Sequence, residues 1–100
     1  MGSLDRTPSP KGELALQTMA MPADTNPSGD IFGGWLVSQM DLAGSVAAGR
    51  IARGRVATVA IDRMNFMVSL KVGAVLSCYA ELVGIGRSSI ELSIEAWAAY

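Results

Sequence analysis

Residues 21–44 read MPADTNPSGDIFGGWLVSQMDLAG, and within this stretch the sequence pattern changes from turn-forming to helical. Up to Gly34 it contains two prolines, three glycines and several Asp, Asn and Ser residues, the types that favour turns. They predict an ordered loop of about 12 residues, a length that is uncommon in compact domains unless the loop has a function. From Trp35 onward the apolar residues recur at helical spacing.

This spacing predicts a helix over residues 35–52. Late cations at Arg50 and Arg53, followed by Gly54, suit its C-terminus. Leu42 and Val46 lie opposite the main apolar stripe, so the helix is apolar nearly all round, which predicts a buried helix wrapped by a curved sheet. The stripe expected to face the sheet consists of Leu36, Met40, Ala43, Ala47 and Ile51.

Alternating apolar and polar residues predict strands on both sides of the helix. One strand is expected at residues 14–19, and apolar runs follow the helix at residues 56–61 and 64–68. After a turn at residues 71–73, two alternating runs are joined by a glycine-containing hairpin at residues 84–88. Their faces expected to be buried are Ala74, Leu76, Cys78, Ala80 and Leu82, then Ile90, Leu92, Ile94, Ala96 and Ala98. This order of elements predicts an α+β fold, with one helix laid across an antiparallel sheet.

The composition of the 100 residues restricts the function. Half of them are apolar and only 17% are charged, which is more apolar surface than one small core is expected to hide. Either part of that surface meets another subunit, or the chain is an incomplete piece of a larger domain. Eight basic and nine acidic residues argue against a nucleic-acid partner. The absence of histidine excludes a Ser-His-Asp triad and His-based zinc sites, and no metal site is predicted.

Residues 13–100 are expected to form a single domain, preceded by a flexible tail at residues 1–12. The tail lacks the apolar stretch of a signal peptide, and the apolar runs fall short of the ~18 residues of a membrane span. We therefore expect a cytoplasmic protein with no membrane partner. The chain ends at Tyr100 inside an apolar run, so at least one C-terminal strand is expected to be missing.

Asp41 is the most informative candidate for a functional residue, because it is an acid on a mostly apolar helix. A solvated Asp on a polar edge is common, but in these surroundings the carboxylate is expected to be either paired or functional. It could deprotonate a water for attack on an acyl carbon. The reaction also needs donors for an oxyanion, and the free N–H groups of the helix start beside Gly33 and Gly34 could supply them. Two glycines before a helix are also an ordinary tight turn.

Six of the eight basic residues fall between positions 50 and 87. This asymmetry suits a polyanionic ligand, and a solvated rim is an equally open interpretation. Within the hairpin, Arg87 together with Ser88 and Ser89 could hold a phosphate. The six residues are Arg50, Arg53, Arg55, Arg63, Lys71 and Arg87.

The stretch at residues 21–44 closely resembles the hotdog-fold acyl-CoA thioesterases of the YciA-like group, the cytosolic long-chain acyl-CoA hydrolases. The likeness continues through residues 55–60, 64–66, 72–73 and 86–90 and covers about residues 13–99, with residues 29–41 its most specific part. The resemblance implies a hotdog fold, in which a long helix is wrapped by an antiparallel sheet. It also implies homodimers that assemble into hexamers. Family members continue for another strand after residues 95–97, where this chain stops.

The resemblance further implies hydrolysis of fatty acyl-CoA to free acid and CoA, with no cofactor because CoA is part of the substrate. Asp41 matches the catalytic carboxylate, which acts as base or nucleophile. Residues 30–34 match the segment that places the backbone amides of Gly33 and Gly34 at the thioester, and Thr58 matches a strand position near the site, across a dimer interface. The implied substrate contacts and loop supports are Asn26, Asp30, Phe32, Asn65, Arg87, Ser88 and Ser89.

Two other functions remain open at this stage. A hotdog module that binds acyl-CoA without hydrolysing it would have the same sequence features. A hotdog dehydratase fits less well, because those enzymes depend on a histidine and this chain has none.

Overall fold

The computed structural model describes residues 10–31, 33–53, 58–66 and 70–99, and for residues 58–66 it describes the backbone. Most of the predicted tail, Phe32, and the ends of the two apolar runs that follow the helix lie outside these residues. The strands are β1 (Glu13–Met19), β2 (Thr58–Phe66), β3 (Val75–Ile85) and β4 (Ser89–Ala99), and the long helix is α1 (Gly33–Ala52). A single 3-10 turn, Pro22–Asp24, lies in the loop between β1 and α1.

The four strands form one sheet in the order β1-β3-β4-β2. The predicted hairpin is confirmed, because β3 and β4 pair antiparallel, and β1 pairs antiparallel with β3. The two apolar runs after the helix lie on one strand, β2, which has a register shift between Ile61 and Arg63. This strand pairs parallel with β4. A short turn forces antiparallel pairing on the hairpin, whereas no local connection sets the direction of β2 relative to β4.

The core lies between one face of α1 and one face of the sheet. The helix contributes mostly small residues: Met40, Ala43, Gly44, Ala47, Ala48 and Ala52 are buried. The sheet contributes larger ones, and Leu76, Cys78, Ile90, Leu92 and Ile94 are almost completely buried. Small residues on the helix let its backbone lie close to the branched side chains of the strands, so the two surfaces fill the space between them.

The expectation that α1 is buried on all sides is wrong for this chain. Val37 is 42% exposed and Leu42 is 51% exposed. The sheet covers only one side of the helix, so the apolar residues on the other side face outward. The prediction that Leu82 lies on the buried face of β3 is also wrong, because its side chain is 45% exposed. The register shift between Leu82 and Gly84 interrupts the alternation there.

The buried cysteine is confirmed. Cys78 is fully buried in the core, and desolvation by that burial raises the pKa of its thiol to about 11. The thiol is therefore protonated at neutral pH and has little nucleophilic character. Within the described residues, no helix is long and apolar enough to cross a membrane.

Candidate active site

The loop that precedes α1 is held at both of its ends by one turn. We call residues 20–31 the pre-helix loop and residues 71–74 the support turn. At the start of the loop, the Ala20 N–H donates to the Ala74 carbonyl (2.9 Å) and the Gly73 N–H donates to the Ala20 carbonyl (2.9 Å). At its end, Asp30 forms a β-bridge with Lys71. Both ends of the loop are therefore held next to the support turn, and the loop ends just before α1 begins.

Asn26 organises the interior of the pre-helix loop. Its side-chain oxygen accepts hydrogen bonds from the N–H groups of Ser28 and Asp30, both at 3.0 Å. Its own N–H donates to the Asp30 carbonyl at 2.7 Å, and its carbonyl accepts from Gly29 at 2.9 Å. Gly29 has a φ of 86°, a conformation that suits glycine. The side chain of Asn26 thus supplies hydrogen bonds that regular secondary structure would otherwise give to these backbone groups.

An ion pair joins the end of this loop to the support turn. The Lys71 ammonium lies 2.7 Å from a carboxylate oxygen of Asp30, and both side chains are more than half exposed. In the sequence, Lys71 is only one of several basic residues. The ion pair with Asp30 cannot be predicted from the sequence, because only the topology brings positions 30 and 71 together.

The first turn of α1 is open. Gly33 and Gly34 are exposed, and a Cβ added at either position would meet nothing within 4 Å. The first N–H groups of a helix have no partner inside it, and they carry the positive end of the helix dipole. The described residues therefore leave open space beside Gly33 and Gly34, where a ligand carbonyl could be placed near these amides.

Asp41 lies on the exposed side of α1, in line with these amides. Gly34 and Asp41 are two helical turns apart, so they share one side of the helix at a separation of about 10 Å along its axis. Ser38 lies between them, and its hydroxyl donates to the Gly34 carbonyl at 2.8 Å. Ser45 continues the line, and its hydroxyl donates to the Asp41 carbonyl at 3.3 Å. We call these four residues the polar stripe.

The carboxylate of Asp41 is exposed, and it has no hydrogen-bond or ion-pair partner among the described residues. The carboxylate was predicted to be either paired or functional, and the described residues do not pair with it. The nearby exposed side chains of Val37 and Leu42 give the carboxylate apolar neighbours on the same open surface. A charged group beside exposed apolar groups is an arrangement that suits a substrate with a polar reacting centre and an aliphatic part.

The other predicted site residues are spread over the sheet. Arg87 and Ser88 lie in the exposed hairpin turn, Ser89 is the first residue of β4, and Thr58 shares a register position with Ser89. Asn65 pairs with Glu95, so it lies seven strand positions from Thr58, or about 23 Å. A single compact site in one chain cannot contain both. Phe32 lies outside the described residues.

In the predicted basic set, Arg55 and the side chain of Arg63 lie outside the described residues, and the described members are not gathered in one place. An Arg50 side-chain nitrogen donates to the Leu14 carbonyl at 3.2 Å, which ties the end of α1 to β1. Lys71 pairs with Asp30 in the pre-helix loop. Both cations therefore have contacts within the chain, whereas Arg87 in the hairpin is the member that belongs to the predicted phosphate site.

A cavity of about 240 Å³ lies near the C-terminal end of α1, between Arg50 and Ile51 on the helix and Leu82 and Leu92 on the sheet. Asp41, Gly33 and Gly34 do not line it. Its volume is below the roughly 300–1,000 Å³ that is usual for small-molecule sites. The polar stripe, with its open backbone amides and carboxylate, is the better candidate for chemistry.

Comparison with known proteins identifies the family of this chain. The sequence pattern of the thioesterase superfamily matches residues 28–99, which include the polar stripe and the support turn. The chain belongs to the thioesterase superfamily. The hotdog fold predicted from the sequence is therefore confirmed, as is the predicted family.

Individual members of the superfamily are close in sequence. The acyl-CoA thioester hydrolase YciA of Salmonella typhimurium is 54% identical over 97 residues, which are 97% of this chain and 71% of that protein. A hexameric hotdog fold thioesterase of Campylobacter jejuni is 40% identical with a TM-score of 0.70, and the match covers 87% of this chain and 65% of that one.

A third member is a hexameric broad specificity acyl-coenzyme A thioesterase, solved as an Asp-to-Ala mutant enzyme. It is 51% identical with a TM-score of 0.80, and the match covers 90% of this chain and 65% of that one. The chain spans 56% to 71% of the lengths of the first curated relatives that it matches.

Proposed function

We propose that this protein hydrolyses acyl-CoA thioesters to free acid and CoA, with Asp41 as the catalytic carboxylate. One observation carries the proposal: an exposed carboxylate, unpaired among the described residues, lies on the same side of α1 as the open backbone amides of Gly33 and Gly34. Membership of the thioesterase superfamily supports it, as do the relatives named as acyl-CoA hydrolases.

The proposed reaction divides the work between the backbone amides at the start of α1 and Asp41. The amides beside Gly33 and Gly34 bind the carbonyl oxygen and stabilise the negative charge that develops on it. Asp41 accepts a proton from a water whose oxygen attacks the carbonyl carbon. When the C–S bond breaks, the proton passes to the CoA sulfur. The products are a carboxylic acid and a thiol, so atoms and charge balance without a cofactor.

Attack through water and direct attack by Asp41 both place the carboxylate on the same side of α1 as these amides. The backbone positions of Gly34 and Asp41 are about 10 Å apart along the axis, and the Asp41 side chain tilts toward the start of the helix, which brings its carboxylate closer to the amides.

The substitution Asp41→Asn tests the proposal, because it removes the base and keeps the size of the side chain. We expect kcat for acyl-CoA hydrolysis, followed by release of the CoA thiol, to fall by about 10²- to 10⁴-fold. The matched control is Glu91→Gln, the same carboxylate-to-amide change at an exposed position of β4, and it should leave the rate unchanged. Unchanged hydrolysis in the Asp41 variant would remove this residue from the mechanism.

Calorimetry with CoA separates hydrolysis from binding alone. If the protein binds acyl-CoA tightly but releases no thiol, it is a binding module and not an enzyme. A series of acyl-CoA substrates of increasing chain length then defines the preferred substrate, and a broad profile would match the specificity of the hexameric relative.

The remaining roles are part of the same proposal. The hairpin residues Arg87, Ser88 and Ser89 contact the CoA phosphates, and Thr58 approaches the site across a homodimer interface. Asn26 and Asp30 support the pre-helix loop, while Phe32 and Asn65 contact the substrate. Dimers assemble into hexamers, and the hexameric relatives support the hexamer. The proposed location is the cytoplasm. Light scattering on the purified protein measures the assembly directly.

A further inference from the structure

The two ends of the pre-helix loop are attached in different ways. At the first end both contacts are backbone hydrogen bonds between Ala20 and the support turn, so they do not depend on the side chains there. At the second end the β-bridge of Asp30 with Lys71 is accompanied by the ion pair between the two side chains. Only the second attachment therefore depends on which residues stand at positions 30 and 71.

The second attachment lies close to the proposed oxyanion site. Asp30 precedes Gly33 by three residues, and its N–H and carbonyl are also the groups that Asn26 binds. A displacement of Asp30 therefore disturbs the turn around Asn26 and shifts the chain that leads into the first turn of α1. Because the amides of that turn must face a developing charge at a fixed distance, a small shift there affects the rate.

We propose that Lys71 is a positioning residue, which acts through Asp30 to hold the backbone amides of Gly33 and Gly34 in place. The proposal rests on the proposed thioesterase function. The ammonium does not contact the substrate. It fixes the carboxylate at the end of the pre-helix loop and thereby the start of α1. Exposed ion pairs contribute little to overall stability, so the pair should affect catalysis more than folding.

The substitution Lys71→Met removes the charge, while the side chain keeps most of its length and the backbone bridge is retained. We expect kcat for acyl-CoA hydrolysis to fall about tenfold, with KM changed less than twofold and the melting temperature within about 2 °C of the wild type. Lys71→Arg restores a cation that can reach Asp30, and it should recover most of the rate. The matched control is Lys11→Met at another exposed lysine, with no expected change.

Two results would overturn the proposal: wild-type kcat in Lys71→Met, or a rate in Lys71→Arg as low as in Lys71→Met. Hydrogen exchange keeps the test independent of the reaction. The N–H groups of Ser28 and Asp30, which donate to Asn26, should exchange faster in Lys71→Met than in the wild type or in Lys11→Met. Unchanged exchange also overturns the proposal. Absence of hydrolysis by the wild type, with faster exchange in Lys71→Met, would contradict the thioesterase function and leave the positioning of the loop established.

Discussion

Both sides of α1 carry apolar side chains, but those side chains have different contacts. On the sheet side, Met40 and Ala43 are completely buried, whereas away from the sheet Val37 and Leu42 remain about half exposed. The position of the sheet decides which of these apolar side chains are buried. The difference indicates that residues on the sheet side are required for stability. Residues on the open side, with Asp41 among them, remain available to a substrate or to another chain.

The largest effect on stability is expected from Met40→Ala on the sheet side. It removes most of a fully buried side chain, and it should lower the free energy of unfolding by about 2–5 kcal/mol. Urea denaturation measures the loss. Met40→Leu, which nearly conserves volume, should lose less than about 1.5 kcal/mol. Equal losses in the two variants would contradict close packing at this position.

The reverse change, Ala43→Leu, tests how closely the helix lies against the sheet. The added carbons have no free space, since Ala43 is fully buried, and overpacking of this kind usually lowers the free energy of unfolding by about 1–3 kcal/mol. The same enlargement on the open side, Ser45→Leu, should be tolerated in a denaturation experiment. A stabilised Ala43→Leu variant would show that the interface between helix and sheet contains an unfilled space.

Cys78, on the sheet face that α1 covers, makes stability sensitive to alkaline pH. Its pKa is raised from 9.0 to about 11 in the folded chain, so its contribution is fully present below pH 9 and is lost as the pH rises toward 11. The slope in that window should reach at most about 1.4 kcal/mol per pH unit. Denaturation at several pH values measures it, and Cys78→Ala should remove that part of the slope. At pH 8, a thiol reagent should modify the unfolded chain much faster than the folded one.

The smallest effect is expected from Leu42→Ala on the open side. The side chain is half exposed, so the free energy of unfolding should change by no more than about 0.5 kcal/mol. The measurement is repeated over a hundredfold range of protein concentration. A loss above about 1 kcal/mol that grows with concentration would show that another copy of the chain covers this surface.

The main elements could be predicted from the sequence, because their periodicity is local. The turn-forming residues before Gly33 and the helical spacing after them place the loop and α1, and the alternation around Cys78 and Ile90 places the central strands. The parallel pairing of β2 with β4 could not be predicted in this way. It joins segments that have no short connection, so its direction depends on the whole sheet.

The candidate site was predictable in part. The carboxylate at Asp41 and the glycines at the start of α1 are visible in the sequence, and their alignment follows from the helical repeat. The exposure of Asp41 was not predictable, because it depends on which side of α1 the sheet covers. The pairing of Asp30 with Lys71 was also hidden, since it exists only when the support turn lies beside the pre-helix loop.

The strand order also determines when each part of the sheet can form during synthesis. β1 is made first, but its partner is β3, with Leu16 opposite Cys78. The first strand therefore leaves the ribosome long before its neighbour exists, and for that interval its backbone groups and apolar side chains are unprotected. Late pairing of distant segments slows folding and exposes the chain to aggregation. We expect the yield of soluble protein to depend on how quickly translation reaches the hairpin of β3 and β4.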